Sequence, residues 1–457
     1  MAVGKRESSE QLMWVATSDL PRSPGHPFYR KLNQLLGERG FDRFCEELCA
    51  PYYAERMGRP SIPPGVYFRM LLVGYFEGIG SQRGIAWRCS DSLALREFLG
   101  LKATEASPDH SSLTVIRQRL PLEIHQRVFA KVLSIARERG LLKGTTVAVD
   151  STTLEANAAM KSIVRRDTGE DWTEYVERLA KEAGIVDATA EELRRFDQKR
   201  KGKKVPNDDW VSPSDPESRI AKMKDGRTHL AYKAEHAVDL ETEMVVAAQV
   251  YPANQGDPET LIETIAAAQE NLEEAGSEER VREAVADKGY HKAETLTDCQ
   301  ASHVRTYIPE RKITRRTWTD KPAGQREAVY GNRRRCRGAR SKRLQRLRSE
   351  RVERSFAHVC ETGGARRSWI RGVMDVSKRY LIQAAAHNLG IVMRKLFGIG
   401  TPRSLQGSLG ALICLVACLA WLVKHLRVLH PCDDAVTAIR LEHSTHCQTA
   451  ATERAAA

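Results

Sequence analysis

At 457 residues the chain is too long for one ordinary core, and a prior of about 150 residues per domain points to two or three. An apolar fraction of 41% and a charged fraction of 29% are those of an ordinary soluble globular protein, and ten cysteines without a Cys-x-x-Cys pair exclude a disulfide framework. The formal net charge of +13 calls for a polyanionic partner, nucleic acid ahead of an anionic membrane.

Residues 1–24 read as a polar leader punctuated by Ser and Pro, and residues 1–20 hold no apolar run of the kind a secretory signal needs. With unpaired cysteines, the expected compartment is a reducing cytosol. From about Pro27 to Arg139 the apolar spacing is helical. Val66, Met70, Val73 and Phe76 follow a Pro63-Pro64 start. Short helices are predicted over about Ser81–Arg88 and Ser92–Leu99, the second closed by Gly100. Another begins near Ser111, with Leu113, Ile116 and Leu120 inward and Arg117 and Arg119 outward. Short helices with basic exposed faces fit a helix-turn-helix-like DNA binder and, almost equally, a plain helical bundle.

At Thr145 the texture changes. TTVAVD is β-branched and apolar, a buried strand ending on Asp150. A charged insertion over about 158–227 follows. It carries the stripe Trp172, Tyr175, Val176 and Leu179, a Thr189/Glu192 capping box, and the basic run Lys199–Lys204. HLAYKAEHAVDL, a turn at Glu241–Thr242 and EMVVAAQVYP read as a hairpin. Leu261, Ile265, Ala268 and Leu272 mark a helix after Asp257. VREAVADKGY is a strand ending on Asp287, and HVRTYIPE is a further strand. The stretch Arg333–Arg348 holds nine basic residues and no acid. After it come a helix with Val352, Phe356 and Val359 and a long one over about Val373–Leu396. Leu409–Val423 is uncharged, but at fifteen residues it is short of the roughly 20 that span a bilayer; a covered helix is expected and no membrane partner. His443, His446, Cys447 and Cys432 match no standard zinc spacing.

The order strand, hairpin, helix, strand, helix, strand, helices is mixed α/β and matches an RNase H-like core, in which the first and fourth strands are central neighbours. Here both are expected to end on an aspartate, Asp150 and Asp287. Two such carboxylates suit Mg²⁺, which takes hard oxygen ligands and is commonly held by one or two carboxylates plus phosphate oxygens. A third acid should come from the later helix. Glu353 is the choice and Glu350 the rival, since residues three apart lie on a similar face. The basic run before it, Arg333, Arg334, Arg335, Arg337, Arg340, Lys342, Arg343, Arg346 and Arg348, is sited to neutralise DNA phosphates. Lys288, Arg117 and Arg119 join it as candidate DNA-binding residues.

VAVDSTTLEANA around Asp150, VADKGY around Asp287 and RSERVERSF around Glu353 resemble the three acidic motifs of bacterial insertion-sequence DDE transposases. PSIPPGVYFRMLLVGYFEG and SPDHSSLTVIRQRL resemble the helical domain that precedes them, so the likeness runs from about 25 to 400. The resemblance implies an α/β, RNase H-like catalytic core with a helical N-terminal domain and a helical C-terminal tail. It implies Asp150, Asp287 and Glu353 as catalytic metal ligands, with Mg²⁺ (or Mn²⁺) as cofactor. The implied partners are double-stranded DNA, both terminal inverted repeats and target DNA, with a homodimer assembled on it in a bacterial, nucleoid-associated setting. The expected divisions are 1–24, 25–140, 141–400 and 401–457. The third motif departs from the Tyr, Arg, Glu, Lys spacing of such enzymes. Counting from Glu353, the Arg slot holds Ser349, with Arg348 one place off, and the Lys slot holds Cys360; Arg346 stands at the right distance from Glu350. A catalytically silent DNA-binding protein or repressor is the alternative, and a membrane-associated basic protein a further one.

Overall fold

A computed structural model describes Ala16 and residues 25–405, apart from 55–57, 59–60, 103, 200–205, 224–225 and 312–316. Most of the leader, nearly all of the Lys199–Lys204 run, the 409–423 apolar run and the distal His/Cys group lie outside the described residues. The described residues up to Thr401 form one compact unit, and Pro402–Leu405 fall outside it. Among the described residues no helix is long and apolar enough to cross a membrane.

Among those residues seven helices come first: α1 (Pro27–Glu38), α2 (Phe41–Cys49), α3 (Pro64–Glu77), α4 (Gln82–Asp91), α5 (Leu93–Phe98), α6 (His110–Arg119) and α7 (Leu122–Glu138). Ser81 and Ser92 cap α4 and α5 through their hydroxyls, and Gly100 takes φ +71° just beyond α5, as its place past a helix end requires. α3 is buried almost all round, because α2, α4 and the late helix α14 (Val373–Phe397) pack against it. Arg117 corrects the expectation of an outward basic face on α6. It is buried, and its Nε donates to Asp375 Oδ2 of α14 at 3.0 Å. Arg119 is exposed, its guanidinium 4.7 Å from the centre of the Tyr53 ring.

The second half is built on a mixed six-stranded sheet. β1 (Thr146–Glu155) runs antiparallel to β5 (Thr228–Asp239) over its whole length and parallel to β7 (Glu283–Val285). β8 (Arg305–Tyr307) lies parallel beyond β7; β6 (Val245–Pro252) and β4 (Arg219–Lys222) both pair with the outer side of β5. The insertion contributes β4 to the sheet, which its sequence did not announce. It also carries a small β2–β3 pair (Val164–Arg165 with Trp210–Val211), α8 (Trp172–Glu182) and α9 (Ala190–Lys199). The Thr189/Glu192 cap forms as expected.

Helices cover both faces of the sheet. α10 (Asp257–Glu274) lies on the face where Lys233 of β5 reaches Thr260, and α11 (Ala293–Ala301) packs beside it. The other face meets α13 (Ala339–Phe356) and α14, while α12 (Gln325–Cys336) precedes α13. His236 of β5 fixes that second layer. Its Nδ1 is 2.8 Å from Ser355 Oγ, its Nε2 is 2.8 Å from Tyr380 Oη, and its ring stacks on Phe356 at 4.2 Å. Burial drives the His236 pKa down to about 3, so the ring is neutral and bridges two helices without carrying charge.

Candidate active site

Asp150 lies inside β1, opposite His236 of β5. This corrects the expectation that the first strand stops at Asp150. Ser151, Thr152 and Thr153 continue it because β5 pairs with β1 as far as Glu155. The parallel ladder to β7 does stop, at Ala148↔Val285, and β7 itself ends there, which corrects the expectation that this strand runs to Asp287: the chain leaves the ladder two residues earlier and Asp287 caps the turn that follows. The same register carried two positions further sets Asp150 beside Asp287 where the strands are no longer bonded. Asp287 Oδ1 accepts from the Gly289 amide at 2.6 Å and caps the single turn Lys288–Tyr290. Lys288 is exposed there and Tyr290 buried.

A third carboxylate that sequence reasoning read only as a helix start lies at this point. Asp257, the first residue of α10, accepts at Oδ1 from Ser151 Oγ at 3.0 Å and from Lys233 Nζ at 3.0 Å. Its Oδ2 and Asp287 Oδ1 face one small space: a Cβ at Gly289 would sit 3.0 Å from the first and 2.7 Å from the second. Position 289 therefore admits only glycine without a shift of the carboxylates. Lys233, on the buried stem of β5, also donates to Thr260 Oγ1 at 2.8 Å and lies 3.3 Å from Glu235 Oε2. The signal was present in YKAEHAV, where a lysine, a glutamate and a histidine interrupt a strand otherwise fit for a core.

On the opposite face α13 presents Arg348 to the site. Its Nη1 donates to Asp150 Oδ2 at 2.5 Å, the two side chains being 15% and 25% exposed. Gln345, one turn before, donates to the carbonyls of Ala286 (3.0 Å) and Tyr307 (2.7 Å) and accepts from Arg348 Nε at 3.2 Å. The helix is thereby tied to the ends of β7 and β8. Burial raises the Asp150 pKa; Arg348 works against that rise, and the Asp287 and Asp257 carboxylates add to it.

Neither candidate glutamate bonds to the aspartates. Glu353 is exposed and accepts from Ser349 Oγ at 3.3 Å; Glu350 pairs with Arg354 at 2.5 Å. Both line a cleft of about 650 Å³ with Arg346, Arg354, Glu361 and Arg366. Among the described residues no three His, Cys, Asp or Glu side chains converge as a ready metal cage.

The basic run is two helices interrupted at Arg337–Gly338, and its members differ. Arg333 forms a double hydrogen bond with Glu310 (2.8 and 2.9 Å), Arg335 donates to the Thr306 carbonyl at 2.9 Å, and Arg340 pairs with Glu283 at 2.5 Å. These three stitch α12 and α13 to the sheet. Arg334, Arg337, Lys342, Arg343 and Arg346 are exposed.

A helical region leads into a mixed sheet, with Asp150 on β1 and Asp287 two residues past the end of β7. In comparison with protein families, a transposase domain matches residues 18–119, and a transposase DDE domain matches residues 143–389. The second match spans more than half of the chain, which belongs to the transposase DDE-domain family, a family of DNA transposition. No curated protein and no solved structure gives a significant match.

Proposed function

We propose that this chain is a metal-dependent DNA transposase that cuts the ends of its element and joins them to target DNA on an RNase H-like core. The observation that carries the reading is that Asp150 and Asp287 each follow by two residues the last bonded pair of β1 and β7, Ala148 with Val285. The strand order, with β6, β5 and β1 antiparallel and β7 and β8 parallel to β1, supports the RNase H-like assignment.

The residues fit a hard divalent cation, Mg²⁺ or Mn²⁺. Asp150 on β1 and Asp287 just past β7 offer carboxylate oxygens, which suffices for an ion that completes its shell with phosphate oxygens and water. Glu353, one face round α13 from Arg348, is proposed as the third acid, with Glu350 as its rival. When bound, such ions supply Lewis-acid stabilisation of the charge that develops in an in-line displacement. The chain's own residues do the rest. Ser151 and Lys233 hold Asp257 against the site, and Gln345 orients Arg348. Exposed Arg334, Arg337, Lys342, Arg343 and Arg346, with Lys288 and Arg119, offer cations to DNA phosphates. Water first hydrolyses the phosphodiester at the element end, and the freed 3′-hydroxyl then attacks target DNA. Because two inverted repeats must be brought together, the active species is a homodimer on DNA, in the bacterial cytoplasm. The helices over 25–140 are assigned to DNA binding and 141–400 to catalysis.

The test is strand cleavage of duplex DNA bearing the flanking element ends, with and without Mg²⁺. Cleavage that needs the metal and is absent in Asp150→Asn supports the enzyme. DNA binding without any nicking by the wild-type chain would establish the silent repressor instead.

A further inference from the structure

The segment Gly363–Gly372 (GGARRSWIRG) leaves the helical layer and is laid along the far half of the catalytic strand. The Glu155 amide donates to the Arg366 carbonyl at 2.9 Å, and the Ser368 amide donates back to the Glu155 carbonyl at 2.8 Å. Arg366 Nη1 reaches Thr152 Oγ1 (3.0 Å) and the Thr153 carbonyl (2.6 Å). Asn157 Nδ2 donates to the Trp369 carbonyl at 3.1 Å, and Arg371 Nε to the Asn157 carbonyl at 3.2 Å. A loop tied at this many points holds its side chains in fixed places.

What it displays is an indole. Trp369 is 50% exposed, one edge resting over Gly80 in the turn between α3 and α4, where a Cβ would lie 3.0 Å from Nε1. The half-exposed Arg367 guanidinium lies 4.8 Å from its ring centroid and 3.7 Å from Glu155 Oε1, so that a phosphate would have to share it with that carboxylate. Beside it a cleft of about 580 Å³ is lined by Arg367, Arg371, Lys161, His229 and Glu155. A single exposed aromatic is ordinary on a protein surface. A tryptophan on a pinned loop, with arginines around it, beside the strand that carries Asp150, supplies what an unpaired nucleotide needs: a flat surface for its base and guanidinium groups for its phosphate. Glu155, which anchors the loop, is five residues past Asp150, roughly 16 Å along the strand, about five steps of a DNA strand.

Resting on the transposase reading, we propose that Trp369 and Arg367 form a stacking platform that receives an unpaired base of the DNA flanking the cleaved bond. The experiment measures binding of the full chain to two duplexes of the same sequence at fixed salt. One is fully paired, and the other is frayed with an unpaired 2-aminopurine about five nucleotides from the element end. Trp369→Ala is expected to weaken binding to the frayed duplex about tenfold, well beyond any effect on the paired one, and Trp369→Phe to retain most of the preference. The wild-type chain is expected to quench 2-aminopurine fluorescence in the frayed probe, a readout that needs no variant to fold. Equal losses on both duplexes, or no quenching by a wild-type chain that binds them, overturns the platform alone. A wild-type chain that binds neither duplex overturns the transposase reading as well.

Discussion

Arg348 sits where a metal ion would draw charge from Asp150, so Arg348→Gln tests the electrostatics of the site directly. The ion pair is short and both partners are mostly buried, at 15% and 25% exposure. Breaking a fully buried pair costs about 3–5 kcal/mol, and exposed pairs contribute about 0.2–1 kcal/mol. This one lies between, and glutamine keeps an N–H donor, so the loss in metal-free buffer is about 2 kcal/mol. The same quantity works against a cation in the wild-type chain, because a metal on Asp150 must share the carboxylate with a guanidinium. Removing Arg348 therefore tightens Mg²⁺ or Mn²⁺ binding by up to roughly thirtyfold, at about 1.4 kcal/mol per decade. The assay is thermal unfolding in EDTA and across a Mg²⁺ titration, with Mn²⁺ affinity measured by calorimetry. The variant should melt lower in EDTA and gain more from metal than the wild type, as linkage requires. Equal metal-dependent gains in both proteins, or weaker Mn²⁺ binding in the variant, would refute the reasoning.

Asp150→Asn and Asp287→Asn should each abolish Mg²⁺-dependent cleavage while gel-shift binding to DNA persists; near wild-type cutting by either sinks the metal assignment. Glu353→Gln should stop cleavage and Glu350→Gln reduce it modestly through its Arg354 pair, the reverse order making Glu350 the third acid. Replacing exposed Arg334, Arg337, Lys342, Arg343 and Arg346 with Ala should flatten the dependence of log affinity on log salt, by up to about 0.9 for each DNA phosphate left without its cation. Arg333→Ala and Arg335→Ala should instead lower the melting temperature, because Glu310 and Thr306 lose their partners. His125, His236 and His387 are buried, and burial lowers all three, to about 4 and about 3 for the first two. Their folded values lie below the unfolded value of about 6.5, so the stability they confer is present above about pH 6.5 and lost as pH falls. By about pH 5 His125 and His236 should each cost about 2 kcal/mol, with His387 adding in the same direction, and denaturant melts at about pH 8 and about pH 5 would show whether they do.

The fold was legible wherever apolar spacing runs long. Leu261, Ile265, Ala268 and Leu272 are all on the buried side of α10, and β5 and β6 form the hairpin with its turn near Glu241. Spacing also contained the answer that was misread at Arg117. Leu113, Ile116, Arg117 and Leu120 stand at i, i+3, i+4 and i+7, the positions that share one helix face. The arginine was placed outward by its charge. Its partner Asp375 is 258 residues away, and nothing local announces an ion pair of that range. The four-residue β4 was invisible for the reason that edge strands usually are: its neighbour β5, not its own pattern, makes it a strand.

The site divides along the same line. Asp150 and Asp287 stood out because each closes an apolar run, and a carboxylate after β-branched residues at the sheet centre is costly unless it binds something. Asp257 did not stand out, since an aspartate before a proline at a helix start has an ordinary explanation. Only the folded chain brings Ser151, Lys233 and Gly289 around it. The Arg-rich run was read as one surface because its charges are contiguous. Helical rotation and the interruption at Gly338 separate them: Arg333, Arg335, Arg340 and Arg348 turn to carboxylates and carbonyls of the sheet layer, and their neighbours turn to solvent. Charge density along the sequence thus identified the segment that meets the sheet edge. Which of its cations are held in ion pairs was decided by the acids across from them, Glu283, Glu310 and Asp150, each remote in the chain from the arginine it holds.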